Sequence, residues 1–180
     1  MTKKSILASV FVVIIAFCAL IFILKRTSTT VTVERSFNAP VEKIWALWND
    51  SQSIKKWWSP KNFTAPVIQN DFRVGGNFLF SMKASNGDTT WNTGTYKEII
   101  PLQKIVSVMS FADETGKVVP ADFYDIPGHW PDEVTLLVEF KSLDGKTVVT
   151  VQETGIPTIM SIFAKLGWQQ QFDKLDILLK

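Results

Sequence analysis

Read from residue 31, the chain alternates Val31, Val33 and Phe37 with Thr32, Glu34 and Ser36, the two-residue period of a strand with one buried face. After Pro40 the period changes. Val41, Ile44, Trp45 and Trp48 fall at i, i+3, i+4 and i+7, one apolar stripe of a helix whose first turn tolerates the proline. Asp50 or Ser51 is placed to cap a second, short helix carrying Ile54, Trp57 and Trp58, and Pro60 stops it. Strand-like runs follow at about 64–73, at "NFLFSMK" after Gly75-Gly76, at about 90–100 after "SNGD", and at "KIVSVMSF" after Pro101. "EVTLLVEF" and "KTVVTVQE" then flank Asp144-Gly145, a strong hairpin turn. The count is six to seven strands, mostly an antiparallel meander. Residues 158–179 read as a helix whose apolar face shifts by about half a turn at Gly167, from Ile159, Ile162, Phe163 and Leu166 to Trp168, Phe172, Leu175 and Leu179. That shift predicts a kink or break at Gly167, the second half packing on the sheet and the first half facing a cavity or a membrane surface.

Ahead of this pattern, residues 6–24 are uncharged and apolar; as a helix they reach about 28 Å, close to the hydrocarbon thickness of a bilayer. A cleaved signal peptide is the competing reading, but no small-x-small site closes the run and Lys25-Arg26 follow directly. The sequence therefore predicts a basic start at 1–5, a single-pass transmembrane anchor at 6–24, a tether at 25–30 and one domain at 31–180. The amino terminus added to Lys3 and Lys4 tips the charge balance inward, which places the domain outside the cytoplasm.

The formal charge of +2 includes the four basic residues flanking the apolar run, so the domain carries no basic footprint for nucleic acid. The 180-residue chain has one cysteine, Cys18, and one histidine, His129, too few for a His/Cys metal site; no cofactor and no metal are expected. Asp122, Asp125, Asp132 and Glu133 near His129 read as solvated loop charge. Gly75-Gly76 precedes a strand rather than a helix and lacks the Lys-Ser/Thr of a phosphate loop, so a turn or a close backbone approach explains it. Aromatic residues dominate instead. In "IKKWWSPKNF" the adjacent Trp57 and Trp58 pose the choice between core anchor and recognition surface, while Lys55, Lys56 and Lys61 read as a solvated rim.

"FNAPVEKIWALWND", "WWSP", "RVGGNFLF", "GTYKEIIP", "LDGKTVVTV" and "GWQQQFDKLDILL" occur in order over nearly the whole domain. In this the chain resembles the START-like, or SRPBCC, superfamily, and within it the family related to the C-terminal domain of the activator of the heat-shock-protein-90 ATPase. The resemblance implies an α+β helix-grip fold: a curved antiparallel sheet wrapped around a long C-terminal helix, with a hydrophobic cavity between. The expected cavity residues are Trp57, Trp58, Phe78, Phe80, Trp91, Tyr96, Phe111, Trp130, Phe163 and Trp168, and the expected partner is a hydrophobic small molecule or lipid. Two other functions fit the same frame. One is a cyclase- or hydratase-like enzyme using Glu98 as general base with Tyr96 beside it on the strand; the other is a co-chaperone-like protein-interaction module.

Overall fold

The computed structural model describes residues 3–180, with side chains from residue 13 onward other than Lys25. Eight strands form one antiparallel sheet: β1 (Ser28–Phe37), β2 (Phe63–Thr64), β3 (Ile68–Asn70), β4 (Asn77–Ala84), β5 (Thr89–Ile100), β6 (Lys104–Ala112), β7 (Val134–Leu143) and β8 (Lys146–Pro157). Their order is β1-β8-β7-β6-β5-β4-β2, with β3 also pairing β4. Where the sequence predicts a single strand at 64–73, Pro66 divides two short ones, because proline has no N–H to give a ladder.

Helices α2 (Val41–Asn49) and α3 (Ser51–Trp57) fill the crossover between β1 and β2, and α4 (Ser161–Leu178) lies across the concave face. Asp50 caps α3 by accepting from the Ser53 N–H at 2.7 Å. Helix α4 is preceded by a single 3-10 turn, Thr158–Met160, and continues unbroken through Gly167. The apolar face therefore shifts without a break in the helix: Trp168, Phe172 and Leu175 are buried in the core, whereas Ile162 and Phe163 are 70% and 65% exposed. Phe37 meets Phe172 edge-on at 5.5 Å, and Arg35 on β1 reaches Asp173 at 2.5 Å and Asp176 at 3.1 Å, so both an aromatic contact and an ion pair hold α4 to the sheet edge.

Helix α1 (Lys3–Arg26) enters β1 through Thr27 alone. The segment expected as a tether is thus mostly helix end and strand, the β-branched Thr29 and Thr30 pairing with Ile156 and Thr154. The Thr158 N–H donates to the Thr27 carbonyl at 2.8 Å and fixes this junction beside the start of α4. Among the described residues no helix is long and apolar enough to cross a membrane. This overturns the expected single-pass, extracytoplasmic placement. Residues 6–12 of the expected span lie outside the residues whose side chains are described.

Gly75 takes φ +78, and a Cβ on Gly76 would lie 2.0 Å from the Asp71 carbonyl oxygen, so this pair serves both a turn and a close approach. On β5, a Cβ at Gly94 would lie 2.2 Å from the Val108 carbonyl oxygen and 2.4 Å from the Phe78 ring that covers it. Gly94→Ala is expected to lower stability by about 2 kcal/mol in urea denaturation, through overpacking that forces β5 and β6 apart.

Candidate functional site

The concave face carries two regions of different chemistry. Towards α2 and α3 the inward side chains are large: Phe78 and Phe80 on β4, Tyr96 on β5, and Val138 and Phe140 on β7 are all buried. Phe78, Phe80, Tyr96 and Val138 close on Trp48, Trp57 and Trp58 around a void of only about 20 Å³. This region is core. Towards the start of α4 the facing side chains are small, with Thr90 and Asn92 on β5 opposite Ala164 and Gly167 on the helix, and a cavity of about 440 Å³ opens. That volume lies in the range of small-molecule sites.

Met160, at the end of the 3-10 turn, and Phe163, Ala164, Gly167, Trp168 and Gln171 on α4 line this cavity, a stripe at helical spacing that ends in the core. Met109, Ser110 and Phe111 on β6 and Val134, Glu153 and Ile156 on β7 and β8 form the opposite wall. Ile126, Trp130 and Pro131, from the loop between β6 and β7, roof it, with Trp130 held edge-on to Phe111 at 5.1 Å and donating its indole N–H to the Pro127 carbonyl at 3.1 Å. Trp58, Pro60 and Phe63 close the side; Lys174 binds this segment by donating to Ser59 Oγ at 2.7 Å and to the Phe63 carbonyl at 2.9 Å. The Lys174 ammonium is partly buried there, and its pKa is lowered accordingly.

Besides Thr90, Asn92 and Ser110, three buried side chains bring polar atoms to the region of this cavity. Glu153 follows Val149 and Val151 on the inward face of β8, opposite Leu136, and is buried. Desolvation pushes its carboxyl up to about 7, with Trp168 as a hydrogen-bond partner that counters part of the shift. Trp58 Nε1 and Gln171 Oε1, both on buried side chains that line the cavity, have no hydrogen-bond partner. Two of these side chains adjoin Trp168: its ring meets that of Trp58 at 5.6 Å, and Gln171 follows one turn later on α4.

Of the aromatic residues expected at the cavity, the structure brings Trp58, Phe111, Trp130, Phe163 and Trp168 to it. Trp57, Phe78, Phe80 and Tyr96 are core instead, because α2 and α3 sit over that end of the sheet. Trp91 has strand parity opposite to Thr90 and Asn92 and so faces away. The Tyr96 hydroxyl donates to Asn70 Oδ1 at 2.7 Å, and burial raises its pKa. Glu98 does not share its face. Lys97 is an extra residue between Tyr96, paired with Ser107, and Glu98, paired with Val106, and this bulge turns Glu98 outward into an ion pair with Lys104 at 2.9 Å. His129 is exposed, as are Asp122, Asp125, Asp132 and Glu133, and among the described residues no His/Cys/Asp/Glu group is gathered for a metal.

Residues 38–180 match the family described as Activator of Hsp90 ATPase homolog 1-like protein. Solved structures with this fold include a Chromobacterium violaceum protein (24% identity, TM-score 0.70, covering 83% of this chain and 95% of its own). A Mycobacterium smegmatis protein is similar at 23% identity and TM-score 0.71, over 84% and 90% of the two chains. The AHSA1 protein of Silicibacter pomeroyi is 19% identical, with TM-score 0.68 over 84% and 97%. No curated protein matches the chain.

Proposed function

The chain belongs to the family of Activator of Hsp90 ATPase homolog 1-like proteins, and from the cavity beneath α4 we propose that it binds a hydrophobic small molecule or lipid. The observation that carries this reading is a volume of about 440 Å³ walled by Met, Ile, Val, Phe and Trp side chains and kept open by Ala164 and Gly167. An apolar ligand entering it gains roughly 25 cal/mol for each Å² of surface removed from water. Phe163, largely exposed at the start of α4, stands at the entrance.

Gly167→Trp tests the reading. A Cβ at this position meets only Pro60 Cγ, at 3.9 Å, so the new side chain enters the cavity without a backbone clash, and replacing a helical glycine favours α4. The variant is expected to melt at or above the wild-type temperature and to lose at least about tenfold in affinity for the neutral apolar dye Nile red, which corresponds to about 1.4 kcal/mol. Equal dye binding by both proteins would contradict the proposal.

One observation favours an enzymatic variant of the same site. Glu153, not Glu98, is the carboxyl inside the cavity, and a group with a pKa of about 7 is suited to exchange a proton near neutrality. On that reading Glu153→Gln holds the ligand but no longer converts it.

A further inference from the structure

We propose that the cavity selects an apolar cation, a hydrophobic body ending in an ammonium group, and seats the ammonium against the Glu153 carboxyl, a selection that rests on the cavity reading above. Among the described residues Glu153 is the only ionisable side chain lining the cavity, and it is 8% exposed. Its partners across the sheet are Val31 and Leu136, neither with a polar side chain. Among the described residues the Trp168 indole is its one hydrogen-bond partner, and a single N–H leaves the second carboxyl oxygen free. The unpaired buried atoms shut off from solvent are Trp58 Nε1 and Gln171 Oε1. The free Glu153 oxygen is not among them, so it keeps accessible surface, and the cavity is the space that Glu153 borders.

A lone carboxylate in an apolar wall is costly, and a cation beside it offsets that cost. Among the described residues no Lys, Arg or His of the protein lines the cavity to do so. His129, Asp132 and Glu133 in the loop over the cavity, and Lys165 on α4, are exposed to solvent. Lys174, one turn beyond Gln171, is engaged by Ser59 and Phe63, and Arg35 is paired with Asp173 and Asp176. The rest of the wall suits the same ligand. Trp58, Trp130 and Trp168 line it, and indole rings attract cations over their faces. A carboxylate head would meet like charge with nothing to balance it, whereas an alcohol would gain a hydrogen bond without the charge that strengthens it.

The test is calorimetric titration of the full chain with octylammonium, octanol and octanoate. At about pH 8 the alkylammonium is charged and Glu153, titrating at about 7, is mostly ionised, so octylammonium is expected to bind at least about tenfold more tightly than octanol or octanoate. At about pH 5.5 the carboxyl holds its proton, and the affinity for octylammonium is expected to fall at least about tenfold while that for octanol stays level. Glu153→Gln keeps the shape of the side chain without its charge and is expected to erase both the preference and the pH dependence. Octanol or octanoate binding as tightly as octylammonium in the alkaline titration, an octylammonium affinity unchanged by pH, or a preference surviving in Glu153→Gln overturns the inference and leaves the cavity reading standing. So does a failure of all three probes while Nile red binds. Failure of all three together with Nile red overturns both.

Discussion

Trp57→Ala is expected to lose about 4 kcal/mol of stability in urea denaturation, twice the loss expected for Gly94→Ala. The indole is 1% exposed, donates its N–H to the Leu47 carbonyl at 2.8 Å, and lies 4.5 Å from the Trp48 ring. Truncation leaves a hole where α2, α3 and the sheet meet, and an unpaired carbonyl inside it. Trp58, the adjacent residue, has a different role: its indole N–H is unpaired and its ring borders the open cavity. Trp58→Ala should therefore cost less stability than Trp57→Ala and more ligand affinity. Equal melting of Trp57→Ala and wild type would remove Trp57 as the anchor of α3.

Glu153→Gln is expected to stabilise the protein above neutral pH. The folded-state carboxyl titrates at about 7 against an ordinary value of 4.5, so the folded protein holds the proton that the unfolded chain releases. Its protonated form stabilises the fold fully below the ordinary value, and that contribution is lost as pH rises towards 7. At about pH 8 the variant should exceed wild type by about 3 kcal/mol, and near pH 4 the two should coincide. Melting curves across this interval give the result directly; parallel pH profiles for the two proteins would mean that Glu153 is not desolvated in the folded state.

Trp57 and Glu153 differ in how far the sequence discloses them. The core stripe of α2 and the alternation of β1, β7 and β8 are readable because burial repeats with the element's own period, as with Val41, Ile44 and Trp48. Glu153 stands two residues beyond Val151 in "KTVVTVQE", in phase with the buried positions, but a charge at a strand end reads as solvent-facing until the helix that covers it is in place. Glu98 misleads for the opposite reason: strand parity pairs it with Tyr96, and a one-residue bulge, invisible in composition, breaks the parity. The face shift at Gly167 is legible in the sequence, but it does not interrupt the helix. An unbroken helix produces it by crossing from cavity to core, with Ala164 and Gly167 supplying space along the cavity. The Trp130 roof depends on how the loop between β6 and β7 folds back, and no local period encodes that.

Native mass spectrometry of the full chain as it comes from cells, beside Gly167→Trp prepared identically, tests the central claim most directly. The cavity account predicts a co-purifying small-molecule mass on the wild type, absent or sharply reduced on the variant, and of low polarity when released. The same adduct on both proteins, or no adduct on the wild type even after exposure to apolar extract, would contradict it.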